Sequence, residues 1–194
     1  MYSGFITRKR VVKRLGIHQR FNVAAYRMAA PFLRDGTFPA IDQINHFEGL
    51  NGPDGLKIKS PGEAEPSHLY DPIKDTGEVP ALIQGHYSSL VKALKKNDDV
   101  KAAFEASWLA HYITDGLTPG HHFPLDIELA KLKEGTLTDH PKLSAFRSKG
   151  VIYDEKLIET IKKNWALWGR KGLMSSHFNF ELGVAATLMF SPIK

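Results

Sequence analysis

Apolar residues recur at helical intervals through most of this chain. Between Ile17 and Leu33, the positions Phe21, Ala24, Ala25, Met28, Ala29 and Phe32 form a broad face, which predicts a helix buried on more than one side and stopped or kinked near Pro31. Two more runs, Val79 to Lys96 and Asp98 to Asp115, read as helices joined by a short turn capped by Asn97 or Asp98. The first carries an apolar stripe of Leu82, Ile83, Tyr87, Leu90, Val91 and Leu94. In the second, Phe104, Trp108, His111 and Asp115 share one face, so the stripe turns polar toward its C-terminal end, where buried polar groups need partners. Tyr153 to Gly169 is amphipathic through Leu157, Ile158, Ile161, Trp165 and Leu167, and Ser176 to Phe190 reads as a last helix.

The pattern breaks over residues 35–80, which are rich in Gly, Pro, Asp and Asn with one short helical patch from Ile41 to Phe47. A long irregular segment inside a compact domain is usually functional, and this one carries His46, Asp54, His68 and Asp71. Residues 130–150 read as turns around a short helix from Lys142 to Ser148. Without strand alternation or an internal repeat, the fold class is all-α, and 194 residues make one domain with a substantial core.

Charge changes this picture little. The formal net charge is +5, which suits a polyanion, a phosphodiester or an anionic membrane surface without selecting among them. Arg8, Lys9, Arg10, Lys13 and Arg14 concentrate part of it in an N-terminal arm that reads as solvated. No apolar run follows, so neither a secretory signal nor a transmembrane span is expected, and the protein reads as soluble and cytoplasmic. The chain has no cysteine. Any metal is therefore held by His, Asp, Glu, backbone or water, a donor set that favours a hydrolytic zinc, manganese or magnesium site over a structural thiolate one.

Candidate chemistry concentrates between Phe104 and His122. On a helix, His111 and Asp115 stand one turn apart on the same face. Gly116 can end that helix, and Pro119 then turns the chain so that His121 or His122 returns toward the same face. The plain alternative is a surface His/Asp pair followed by a loop that contains histidines. His177-x3-Glu181 opens the last helix with two more metal-competent side chains on one face. His18, in the first turn of the first helix, reads by itself as an ordinary capped or partly exposed histidine.

Taken in order, these segments resemble the zinc-dependent phospholipase C family, related to the P1-type nucleases. The resemblance runs from about Ile17 to Glu181. It rests on Asp54 in GPDG upstream of Ser67-His68-Leu69-Tyr70-Asp71-Pro72, on Ala110-His111-Tyr112-Ile113-Thr114-Asp115 closed by Pro119-Gly120-His121, on His177-x3-Glu181, and on the early His18. It implies the family's multi-helix bundle, with residues from about 130 to 172 as an insertion. It further implies one zinc on Asp54, His68, His111 and Asp115, a second on His121, His177 and Glu181, and a third using His18 with Asp115 bridging. The family completes that third site with the amine of an N-terminal tryptophan, whereas no tryptophan precedes Trp108 here. The third site is accordingly expected to fill last. His122 competes with His121, and His140 and Glu128 are weaker rivals as ligands.

Imidazole and carboxylate suit zinc, and a metal pair roughly 3.5 to 4 Å apart can clamp a phosphodiester and generate hydroxide near neutral pH. The resemblance therefore implies a metal-dependent phosphodiester hydrolase, with Asp54 as candidate general base or water-orienting group. The HLYDP segment, and the lack of the nuclease-like Trp-Ala-Asp sequence near Asp54, favour a phospholipid or other small phosphodiester over nucleic acid. A P1-type nuclease acting on single strands is the alternative substrate reading. A helical binding protein in which metal pins the 35–80 segment without turnover is the alternative of a different class.

Overall fold

The structure is a computed structural model that describes residues 16–33, 36–59, 69–122, 128, 131–134, 152 and 154–190. Its architecture is mostly helical, as expected. Helix α1 spans Ile17–Ala29 and runs into a 3-10 turn at Ala30–Phe32, where Pro31 ends the α-helical hydrogen bonding. Short helices α2 (Ile41–His46) and α3 (Pro53–Lys59) flank a 3-10 turn at Gly49–Asn51. Then come the long helices α4 (Val79–Lys95) and α5 (Asp99–Gly116), a 3-10 turn at Pro119–His121, and helices α6 (Leu157–Trp168) and α7 (Leu173–Phe190). The predicted short helix at 142–148 and the basic arm at 8–14 lie outside the described residues.

Helix α5 is the centre of the molecule, in contact with α1, α2 and α4. Ala102 and Ala103 are fully buried against Leu90 and Ala93 of α4 and Ile44 of α2, small side chains that let the helices approach closely. One turn further on, Trp108 and Tyr112 pack with Val79 and, around them, Phe47, Phe104 and Ile83. Buried Glu105 on the same helix is satisfied by His86 Nδ1 at 2.6 Å and Lys101 Nζ at 3.1 Å. The helix starts as the sequence suggests: the Asp98 carboxylate accepts from Lys101 N, and Asn97 adopts a left-handed φ of 53° in the turn before it. It does not end through a left-handed glycine. Gly116 instead makes room, since a Cβ there would lie 3.0 Å from Val79 Cγ1.

Three expectations are corrected. A small antiparallel hairpin pairs β1 (Tyr70–Asp71) with β2 (Thr76–Gly77), where no strand was predicted. Two-residue strands are too short to show alternation, and the hairpin is held by turn chemistry: Asp71 Oδ1 accepts from Ile73 N and Lys74 N, and Gly77 has a φ of 121° with no room for a Cβ against Leu69 O. Helix α1 does not bury its broad apolar face. It buries Ile17, His18 and Asn22, leaving Met28 and Phe32 exposed, because its polar side faces α2, with Asn22 Nδ2 donating to Asn45 Oδ1 and Gln19 Nε2 to Asn45 O. On α6, Leu157, Ile158, Ile161 and Trp165 are exposed and Leu167 alone is buried, since it is the Leu167 side of the helix that turns toward the rest of the described chain. No helix among the described residues is long and apolar enough to cross a membrane.

Candidate metal centre

The C-terminal end of α5 supplies the first two side chains. His111 and Asp115, one turn apart, are both fully buried, with His111 Nε2 3.1 Å from Asp115 Oδ2. The other carboxylate oxygen, Asp115 Oδ1, points toward two more imidazoles: His18 Nε2 of α1 at 3.4 Å and His121 Nε2 at 3.6 Å. Asp115 therefore lies at the junction of three histidines from three separate elements.

The chain returns to this junction through a tight exit from α5. Thr118 N donates to Asp115 O and His121 N to Thr118 O, closing the 3-10 turn at Pro119–His121. Gly120 lets that turn lie against α7, because a Cβ there would meet Phe180 Cδ1 at 3.0 Å and His177 Nδ1 at 3.8 Å. His177 and Glu181 then face it, with His177 Nε2 3.1 Å and His121 Nε2 3.7 Å from Glu181 Oε1. Donor atoms of His121, His177 and Glu181 all lie within 4.8 Å of one another. His122 is directed elsewhere: its Nε2 donates to Gly116 O at 2.7 Å and its ring meets Tyr70 edge-on. Of the two histidines that compete in the sequence, His121 is the one that lies with His177 and Glu181. Were this group to hold an ion, His121→Ala would cost about one equivalent of it per chain and His122→Ala none, as elemental analysis of the purified variants would show.

Around the His111 ring the chain supplies two more carboxylates, six residues apart. Asp54, in the first turn of α3, places Oδ1 4.0 Å from His111 Nε2 and keeps its side chain 21% exposed. Glu48, at the start of the Gly49–Asn51 turn, lies against His111 Nδ1 at 3.1 Å and is wholly buried. Sequence reasoning missed Glu48. It follows no helical spacing, and the one signal available was that it shares the polar 35–80 segment with Asp54. His68 and His140 lie outside the described residues. Glu128 pairs with Lys131 at 2.7 Å, His46 is exposed, and Asp71 serves its own turn, so none of these joins the cluster.

The electrostatics follow from crowding charges out of water. Burial pulls the His111 pKa down, but hydrogen bonds to Asp115 and Glu48, with their charges, outweigh it and push the ring up to about 10. His18, stacked on His111 at 4.1 Å between ring centroids, is held below the ordinary histidine range by burial and by the neighbouring His111 charge. Burial raises the Glu181 carboxyl, yet hydrogen bonds from His121 and His177 prevail and hold it well below the usual carboxylate range. Without metal, then, a charged His111 sits beside a neutral His18.

These residues fit a metal on a direct test. Nδ1 of His18 is buried without a hydrogen-bond partner, and Nε2 has only a long 3.4 Å approach to Asp115 Oδ1; a buried polar group left unpaired costs about 1–3 kcal/mol unless something is bound there. The donors throughout are imidazole and carboxylate, the set zinc takes when no thiolate is available. Compared with models of known protein families, with curated proteins and with solved structures, the chain matches none of them.

Proposed function

We propose that this protein is a zinc-dependent phosphodiester hydrolase of the phospholipase C type, with the single-domain multi-helix bundle that the sequence resemblance implies. The observation that carries the reading is Asp115, whose carboxylate joins two donor groups: His111 with Asp54 on one side, and His121 with His177 and Glu181 on the other. Shared carboxylates between neighbouring donor groups are what a multinuclear hydrolytic centre needs. In this reading Asp54, His68, His111 and Asp115 would hold one ion, His121, His177 and Glu181 a second, and His18 with Asp115 would offer a weaker third position. Zinc held there would supply polarisation of a phosphoryl oxygen and acidification of water.

The chain's own residues divide the remaining work. Asp54 is the more accessible carboxylate of the first group, placed to accept a proton from water approaching phosphorus or to orient that water. A cavity of about 430 Å³ lined by Pro119, Lys171, Leu173, His177 and Phe180 adjoins the second group. Its mostly apolar wall and single lysine suit an anionic ester with an apolar substituent, which favours a phospholipid or small phosphodiester over a single-stranded nucleic acid.

About two equivalents of zinc in protein purified without a metal-affinity tag, together with hydrolysis of phospholipid above that of single-stranded DNA, would support the proposal. Protein with no zinc and no uptake on addition would overturn it, and stoichiometric zinc without turnover would point to the metal-stabilised binding protein. Asp54→Asn removes charge and basicity at nearly constant shape. With Asp54 orienting or deprotonating the attacking water, and His111 and Asp115 as the dominant ligands, the variant is expected to keep most of the metal and lose about 100-fold or more in rate on bis(p-nitrophenyl) phosphate; full activity would remove Asp54 from the mechanism.

A further inference from the structure

One short stretch of chain grips the His111 ring from both sides. Nδ1 lies 3.1 Å and 3.3 Å from the two oxygens of Glu48, while Nε2 faces Asp115 Oδ2 at 3.1 Å and Asp54 Oδ1 at 4.0 Å. Glu48 and Asp54 are joined through the Gly49–Asn51 turn and Gly52. The Glu48 carboxylate is itself held: Oε1 accepts from Gly49 N at 3.0 Å, and a Cβ on Gly52 would come within 2.9 Å of that same oxygen. Its position therefore belongs to the turn and depends on Gly52 having no side chain.

A neutral imidazole carries its proton on one nitrogen and its free lone pair on the other. A carboxylate that accepts Nδ1–H consequently leaves the lone pair on Nε2. Donor atoms of Glu48, His18 and His111 also lie within 4.8 Å of one another, so Glu48 could instead be read as a ligand. That arrangement would turn Nδ1 of His111 to the ion and leave Nε2, the nitrogen that faces Asp115 and Asp54, outside the coordination.

We infer that Glu48 is a positioning residue, which accepts the Nδ1 proton of His111 and so presents Nε2 to the ion held with Asp115 and Asp54. The inference rests on the proposed metal centre and adds to it a residue with no motif in the sequence. Gly52, by the same argument, is required for its size.

Long-range 1H–15N correlation of the histidine rings in the zinc-loaded wild-type protein tests this directly. The expected spectrum shows His111 protonated at Nδ1 and bound through Nε2. Two variants test it by affinity in competition with a chromophoric chelator. Glu48→Gln keeps an acceptor oxygen and is expected to weaken zinc binding by less than about tenfold with the Nε2 signature retained; Glu48→Leu removes the acceptor and is expected to weaken it about 10- to 100-fold. Zinc bound through Nδ1, or wild-type affinity in Glu48→Leu, overturns the inference and leaves the metal centre standing. Wild-type protein that takes up no zinc overturns both, and the wild-type spectrum decides the matter even where Glu48→Leu fails to fold.

Discussion

Asp115→Asn is expected to strip the ion proposed at His111 and Asp54, to disable the His18 position and to lower hydrolysis by about a thousandfold or more, equivalent to roughly 4 kcal/mol of transition-state stabilisation. The reason is its place at the junction. One oxygen faces His111 and the other faces His18 and His121, with the residue fully buried. The amide keeps the shape but removes the negative charge, and its NH2 would point a donor at an imidazole where an acceptor is needed. Both Asp115→Asn and His111→Ala leave the His121, His177 and Glu181 group whole. Zinc analysis should therefore show loss of about one equivalent in each variant with the other equivalent retained. Loss of nearly all zinc in Asp115→Asn would show that Asp115 is also a ligand of the second group.

Zinc removal should lower the melting temperature by about 5–10 °C, because metal bound only by the native state at about 100 times its dissociation constant adds roughly 2.7 kcal/mol, and a domain of this size shifts about 2–4 °C per kcal/mol. The metal-free protein should also acquire a characteristic pH dependence. His111 has a folded pKa of about 10, above its ordinary 6.5, so its stabilisation is fully present below pH 6.5 and is lost as pH rises toward 10. His18 is shifted the other way: the unfolded chain takes up a proton that the folded one refuses, so stability also falls below about pH 6.5. Glu181, depressed in the fold, adds stability above its ordinary value of 4.5 that is lost in acid. Metal-free protein should therefore melt highest near pH 6.5 and lower on either side, whereas zinc, which needs neutral imidazole, should bind more tightly as pH rises. Thermal melts with and without chelator from pH 5 to 10 check both signs. A metal-free curve that keeps rising above pH 7 would contradict the charge assignment of His111.

The helices were legible because their signals are local. The helical recurrence of apolar positions placed α4 and α5 within a residue of their observed limits, and Asp98 marked the start of α5 through its own side chain. Where burial depends on what arrives from elsewhere, the same pattern misled. The apolar residues of α1 and α6 recur at helical spacing, yet Met28, Phe32, Leu157 and Trp165 are exposed, since periodicity reports a face and not the neighbour that would cover it. The β1–β2 hairpin lay below the length at which alternation can be read.

The metal-competent residues divide in the same way. By itself the sequence determined the pairs set by helical repeat, His111 with Asp115 and His177 with Glu181, because a spacing of four on a helix fixes their relation before any packing occurs. It also limited the donors to imidazole and carboxylate, since the chain has no cysteine. Tertiary structure alone decided which of these pairs meet. It brought His18 from α1 onto the His111 ring, sent His121 inward and His122 to a backbone carbonyl, and carried Glu48 to a nitrogen 63 positions away in the chain. These are contacts between segments whose separation leaves no periodic trace. Their geometry follows from how α5 packs against α1 and α2 and from how the Pro119–His121 turn seats on α7.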